Sequence, residues 1–207
     1  MKTYLVGGAV RDKLLNLSFS ERDWVVVGAT EQEMLDLGFR SVGSNFPVFL
    51  HPESNEEYAL ARTERKTGPG HKGFQCRSDP QVTLEEDLER RDLTINAIAE
   101  TETGALIDPF GGGNDLKTRC LRHISRAFGE DPLRILRVAR FKARFHHLDF
   151  FVHQGTTGLI KKMAANREQE ELSAERILLE LNKALATRNP AEFFRYLAEV
   201  GAASLLW

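Results

Sequence analysis

Over roughly the first 125 residues, apolar positions come in short runs broken by glycine and charge; beyond that they recur at helical spacing. Tyr4–Val6 is a short apolar run entering the Gly7-Gly8 turn, and a helix is expected from there to about Leu15. Arg22–Gly28 reads RDWVVVG, β-branched and aromatic, and predicts the clearest strand of the chain. Thr30 with Glu33 three positions on is a capping-box pattern, predicting a helix to about Leu37 that Gly38 ends. Phe46–His51 and Tyr58–Arg62 predict a hairpin bridged by the polar turn Pro52–Asn55. Gly68, Pro69, Gly70 and Gly73 then make a basic loop that fits neither period.

Thr83 and Glu86 repeat the capping pattern over Thr83–Leu88, and Leu93–Ala99 is expected to be helical as well. Ala105–Ile107 predicts a strand leading into DPFGGGNDL (108–116), where glycines break the chain before another short helix. From Asp131 the pattern is helical to the end, with Pro132 placed at a first turn. Ser173 with Arg176, and Asn189-Pro190, mark two later helix starts. The fold class expected is α+β, with strands and helices mixed in the first part and helices alone in the second.

A chain of 207 residues can bury one full core and carry a second small domain. With 42% hydrophobic and 28% charged residues, its composition is that of an ordinary soluble globular protein. No apolar run approaches the length of a bilayer span, and the strand-like YLVGG at the start predicts no signal peptide and no membrane partner. Cys76 and Cys120 are too few for a disulfide framework and not spaced as zinc ligands, so a reducing, cytoplasmic setting is expected. The net charge of −2 hides local clusters: Arg62, Arg65, Lys66, Lys72 and Arg77 accompany only Glu64, and nine Lys/Arg between Lys117 and Arg144 accompany only Glu130 and Asp131. Such clusters on a neutral chain fit a focused polyanion site, although singly each is more often a solvated helix face.

Three segments carry candidate chemistry. Gly7 and Gly8 free the backbone for close approach of a ligand, the following helix N-terminus favours anions, and Arg11 lies one turn in. Alone, a Gly-Gly turn before a helix is more often merely a turn. Glu21 and Asp23, at i and i+2 on an expected strand, share a face on which a divalent cation can bridge two repelling carboxylates. Placement one strand after the glycine turn favours that reading over an ordinary solvated strand entry. In the helix opened by Asp131-Pro132, Arg134, Arg137, Arg140 and Arg144 fall on one flank, while Ile135, Leu136, Val138, Ala139 and Ala143 cover the rest. Adjacent guanidiniums repel unless an anion is present, and phosphate is the natural anion for the planar fork of arginine. Asp131 and Arg134 are surface neighbours: either a weak helix-start salt bridge or an acceptor/donor pair able to read a base edge.

GGAVRD (7–12), the ExD at 21–23, RRDLTINA (90–97), DPFGGGNDL (108–116) and EDPLRILRVARF (130–141) resemble, in this order, the successive motifs of class II (bacterial-type) CCA-adding enzymes. These tRNA nucleotidyltransferases are related to bacterial poly(A) polymerases, and the likeness runs over essentially the whole chain, closest to the proteobacterial branch. It implies a mixed-sheet nucleotidyltransferase head over residues 1–125, a helical neck over 126–188, and the start of a helical body at 189–207 with the remainder absent. It implies template-independent addition of C and A to the tRNA 3′ end from CTP and ATP. Gly7, Gly8 and Arg11 would hold the triphosphate, Glu21 and Asp23 magnesium (Mg2+), and Arg91 and Asp92 the nucleotide and its sugar. Asp131 and Arg134 would read the base edge, and Arg137 and Arg140 would contact phosphates. The loop near 62–77 matches the element used in switching from C to A, and the glycines after Asp108 match a head–neck hinge.

Two departures accompany the resemblance. Glu21 stands where the family has aspartate, and the chain stops at Ala-Ser-Leu-Leu-Trp207, where the family continues through domains that grip tRNA. The apolar end is expected to be exposed, belonging either to a chain cut short or to a naturally short form covered by self-association or a partner. The alternatives are a tailing enzyme adding only C or only A, a broader RNA tailing enzyme, and a catalytically weak nucleotide- or RNA-binding module.

Overall fold

The computed structural model of the chain describes residues 1–42, 48–66, 68, 74–166 and 172–206. Expected features at Phe46 and Pro47, in the basic loop at Pro69, Gly70, His71, Lys72 and Gly73, at Arg167–Glu171 and at Trp207 lie outside the described residues. Packing divides the chain into two compact units, Met1–Arg65 with Gln75–Leu116, and Lys66–Phe74 with Lys117–Trp207.

The first unit opens with β1 (Lys2–Val6), α1 (Gly8–Leu14), β2 (Asp23–Val27), α2 (Glu31–Asp36), β3 (Arg40–Ser41), β4 (Val48–Leu50) and β5 (Glu57–Leu60). It continues through β6 (Thr63–Lys66), β7 (Phe74–Arg77), α3 (Leu84–Glu89), β8 (Ala99–Thr101), β9 (Leu106–Ile107) and α4 (Gly112–Lys117), the last residues of β6 and α4 and the first of β7 counting with the second unit. Seven strands form one sheet in the order β3-β4-β5-β2-β1-β8-β9. β2 and β5 run parallel and the other pairs antiparallel, so the sheet is mixed, as expected. Alternation along β2 sends Trp24 and Val26 to one face. There Val26 packs with Phe49, Leu60, Ala29 and Met34 of α2, with Phe39 and Tyr58 against them. Both expected capping boxes are formed, Thr30 with Glu33 on α2 and Thr83 with Glu86 on α3.

Two stretches differ from expectation here. Leu93–Ala99 is helical only in the single 3₁₀ turn Thr94–Asn96, and β8 begins at Ala99. Leu93, Ile95, Ala97, Ile98 and Ala99 are all fully buried, so no solvent-facing side exists to impose a readable period. The basic stretch is flanked by a strand pair, β6 with β7, whose sequences TERK and FQCR carry too much charge to read as strands.

In the second unit, β10 (Cys120–Leu121) pairs in parallel with β11 (Phe151–Val152), strands that the helical pattern did not announce. Between and after them come α5 (Leu133–Phe145), α6 (Gln154–Ala165), α7 (Ala174–Leu185) and α8 (Ala191–Glu199). α5 is the centre of this unit, packing its apolar side against α7 and α8. Ser173 caps α7 by accepting from the Arg176 amide, and Pro190 leads into α8. Leu205 is buried and Leu206 half-buried, so the expected exposed apolar end is covered by the unit's own packing as far as Leu205. Among the described residues no helix is long and apolar enough to cross a membrane.

Hydrogen bonds brace the DPFGGGNDL segment internally and tie it to the Thr94–Asn96 turn. Asp108 accepts from the Gly112 and Gly113 amides at 2.7 and 2.8 Å, and the Thr94 hydroxyl donates to buried Asp115 at 2.7 Å. A Cβ at Gly112 would overlap the Thr94 carbonyl and stand 2.9 Å from Ile98 Cγ1. What Gly112 supplies is closeness between two backbones rather than the freedom a hinge needs. Gly112→Ala is therefore expected to destabilise the chain by about 2 kcal/mol through overpacking, read as a lower urea midpoint; an unchanged midpoint would show that the turn yields.

Candidate functional site

The register of the central strands gathers the candidate residues of the first unit. Val6, the last residue of β1, lies opposite both Asp23, the first of β2, and Ala99, the first of β8. The glycine turn, the acidic pair and the RRDLTINA segment therefore converge on one end of the sheet. Gly7 has φ +69° and ψ −125°, a conformation only glycine adopts without strain, and its N–H donates to the Ile98 carbonyl at 3.3 Å. A Cβ at Gly7 would stand 3.0 Å from Arg91 Nη1, so a side chain there would require that guanidinium to shift. Gly8 begins α1, with Arg11 Nη2 beneath it, 3.6 Å from where a Cβ would be.

Arg11 is buried: its Nε donates to Asp12 at 2.8 Å and its Nη1 to Asn96 Oδ1 at 2.6 Å. Glu21 and Asp23 are both exposed, but β2 starts at Asp23, so Glu21 precedes the strand instead of sharing it. They are nonetheless close enough to interact. Desolvation pushes the Asp23 carboxyl above the usual carboxylate range, the Arg91 guanidinium pulls it back down, and the like charge of Glu21 raises it further. Glu57, the first residue of β5, lies directly opposite Asp23 in the parallel register and adds a further acidic group at this sheet end. Among the described residues no group of three or more His, Cys, Asp or Glu converges as a metal cage.

Arg91 faces Asp23 because a buried carboxylate holds it there. Asp87, on α3, is fully buried and accepts from Arg91 Nη2 at 3.1 Å, from Arg90 Nη2 at 2.7 Å and from the Arg62 amide at 3.2 Å. Arg90 and Arg62 also share Glu64, at 2.8 and 3.0 Å. Arg91 Nη1 reaches the Asn96 carbonyl at 3.4 Å, and its buried Nε has no hydrogen-bond partner among the described residues. Asp92 is turned inward: its Oδ1 accepts from the Leu93 amide and from Asn96 Nδ2, both at 2.8 Å. Arg62, the residue of the 62–77 cluster nearest α3, is thus paired within the protein.

In the second unit, Asp131 does not pair with Arg134 through its carboxylate. It accepts a two-pronged fork from Arg176 at 3.3 and 2.9 Å, and its Oδ1 also caps the Leu133 amide at 3.1 Å. Arg134 donates to the Ala127 carbonyl at 3.2 Å and lies over the Phe128 ring. The anion expected beside the arginine flank has a counterpart in the chain: Glu180 of α7, 2% exposed, accepts from Arg137 at 3.5 Å and from Arg140. Arg140 is itself buried against the Phe141 ring, while Arg137 keeps a partly exposed side chain.

Asp87, Asn96, Glu57, Arg176 and Glu180 were not singled out for chemistry. Asn96, the one amide in the apolar run LTINAIA, was the readable signal; Asp87 and Glu180 look in sequence like solvated acids on helix faces.

Comparison with known proteins bears on the whole chain. The model of the poly(A) polymerase head domain matches residues 3–122, and that of a probable RNA and SrmB-binding site of polymerase A matches residues 149–206. A multifunctional CCA protein of Thioalkalivibrio sulfidiphilus (strain HL-EbGR7) is 61% identical over all 207 residues, which are 51% of its own length. The Bacillus stearothermophilus CCA-adding enzyme in complex with CTP is 31% identical, with a TM-score of 0.81 over 99% of this chain and 49% of that one. The Thermotoga maritima CCA-adding enzyme complexed with tRNA is 32% identical, with a TM-score of 0.77 over 99% of this chain and 48% of that one. The chain spans about half the length of the curated relative it matches.

Asp87 yields a pH-dependent expectation. Desolvation alone would raise its carboxyl, but Arg90 and Arg91 outweigh it and hold the group below the usual carboxylate range. A carboxylate depressed in the folded state stabilises above its unfolded pKa of about 3.9 and loses that stabilisation as pH falls through the folded value. Asp87→Asn is expected to cost about 3 kcal/mol at pH 7, leaving guanidiniums buried without their anion, with the gap from wild type narrowing in denaturant titrations below about pH 4. A gap independent of pH would contradict this.

Proposed function

The chain belongs to the poly(A) polymerase head-domain family, and from that premise we propose that it carries the catalytic chemistry of a CCA-adding tRNA nucleotidyltransferase. In this reading a tRNA 3′-hydroxyl oxygen attacks the α-phosphorus of CTP, and then of ATP; the bond to the β-phosphate oxygen breaks and pyrophosphate leaves. The observation that carries it is the convergence of the Gly7 turn, Glu21 with Asp23, and Arg91 on one end of the sheet.

Each group has a task that its surroundings support. The bare backbone at Gly7 and Gly8 admits phosphates to the start of α1, and Arg11 and Arg91 offset their charge. Glu21 and Asp23 fit a divalent cation, magnesium in this proposal, because their mutual repulsion is what a dication between them relieves. Bound there, it would stabilise charge on the attacking and leaving oxygens. Asp92, braced by Leu93 and Asn96, is the candidate for the sugar. In the second unit, Asp131 and Arg134 are held by Arg176, the Ala127 carbonyl and Phe128, and such fixed polar groups suit reading a base edge. Arg137 and Arg140, both held by buried Glu180, are the candidates for phosphate contact. The first unit is then a head, α5 to α7 a neck and α8 the start of a body, in a protein of the cytoplasm.

Incubating the chain with tRNA lacking its terminus, with CTP and ATP separately and then together, and resolving products by length, tests the reaction. CTP alone should extend the RNA and ATP should complete it; no extension with any mixture would reject the proposal. Asp23→Ala should abolish incorporation while CTP still binds, whereas a binding module would have no incorporation to lose. Glu21 is one methylene longer than aspartate, and magnesium demands close octahedral geometry. Glu21→Asp should therefore speed single-turnover CMP incorporation, and equal rates would refute that effect.

A further inference from the structure

Four polar side chains of the first unit are almost fully buried around one point: Arg11 (4% exposed), Asp12 (4%), Asp92 (5%) and Asn96 (6%). At the centre lies the Asn96 carboxamide. Its Oδ1 accepts from Arg11 Nη1 at 2.6 Å and its Nδ2 donates to Asp92 Oδ1 at 2.8 Å. The orientation of the amide is forced, because a guanidinium can only donate and a carboxylate can only accept. Only a group that accepts on one side and donates on the other can join these two ions. Leucine would do neither, and aspartate would set a second carboxylate against Asp92.

The Asn96 main chain is equally engaged. Its carbonyl accepts from Arg91 Nη1 at 3.4 Å, and its amide closes the 3₁₀ turn on Leu93 at 2.9 Å. That turn is clamped from behind by Gly112 and by the Thr94–Asp115 hydrogen bond. Asn96 therefore sits on a stiff turn, with a guanidinium on its side chain and another on its carbonyl. Both flank the glycine turn: Arg91 Nη1 lies 3.0 Å from a Cβ at Gly7, and Arg11 Nη2 lies 3.6 Å from one at Gly8.

We propose that Asn96 is a positioning residue for a nucleoside triphosphate, acting through Arg11 and Arg91 to hold two cations against the Gly7-Gly8 turn where the phosphates would lie. This rests on the nucleotidyl-transfer reading above. Asn96 itself touches no phosphate; it removes the freedom of two long side chains before the ligand arrives, so that less ordering cost falls on binding.

The test measures CTP and CMP affinity for the whole chain as wild type, Asn96→Asp, Arg11→Ala and the double variant. Asn96→Asp should weaken CTP by about tenfold and CMP by less than about threefold, since CMP lacks the outer phosphates. On an Arg11→Ala background the same substitution should cost little more, because it acts through that arginine. Equal losses for CTP and CMP, adding to those of Arg11→Ala, would mark Asn96 as structural only and overturn the proposal. If Asn96→Asp does not fold, Asn96→Ala, which can neither accept nor donate, is measured in its place with the same criteria. Wild type failing to bind CTP would instead sink the functional reading and this proposal with it.

Discussion

The register of β1 between β2 and β8 is the constraint on which the first unit depends. Because Val6 faces Asp23 on one side and Ala99 on the other, three chain segments far apart in sequence reach the same end of the sheet. A slip of one residue would send Asp23 to the opposite face, carry Val26 out of its packing with Phe49 and Leu60, and take Trp24 off the Tyr58 ring. The core on one face and the chemistry at the sheet end are thus set by one alignment. The Gly7 N–H bond to Ile98 extends that alignment one step beyond the strands.

Placing like charges at one sheet end is costly unless the surroundings hold them. The chain does this with buried counter-ions: Asp87 ties Arg90, Arg91 and the Arg62 amide, and Asn96 joins Arg11 to Asp92. Buried ion pairs contribute little net stability, since desolvation offsets their attraction, but they fix geometry and are expensive to break singly. Arg91 matters most here, because it is held by Asp87 while lying near enough to lower the Asp23 carboxyl. The same logic recurs in the second unit, where Glu180 neutralises part of the α5 flank and Arg176 grips Asp131. In both units a buried partner orients the groups assigned to a ligand.

Much of this was legible in the chain itself. Capping boxes at Thr30 and Thr83, the VVV strand and the amphipathic period of α5 are local signals, each produced by residues within a turn or two of one another. The glycine turn was legible for the same reason, whereas Glu21 precedes β2 instead of sharing the strand with Asp23. The 3₁₀ turn at Thr94–Asn96 was not, because a run buried on every side loses the contrast that periodicity needs. The pairing of β10 with β11 was not either, since strands this short are defined by their partner.

What the sequence determined by itself is therefore most of the order of elements, the polar groups each carries and the family to which the chain belongs, because propensity, capping and motif spacing are local. Tertiary structure alone decided which charge answers which: Asp131 goes to Arg176 rather than Arg134, Arg140 to Glu180, and Arg11 to Asn96. Partners separated by forty or more positions leave no trace in spacing or composition. Their meeting follows from strand register and helix packing, which exist only once distant segments share a core.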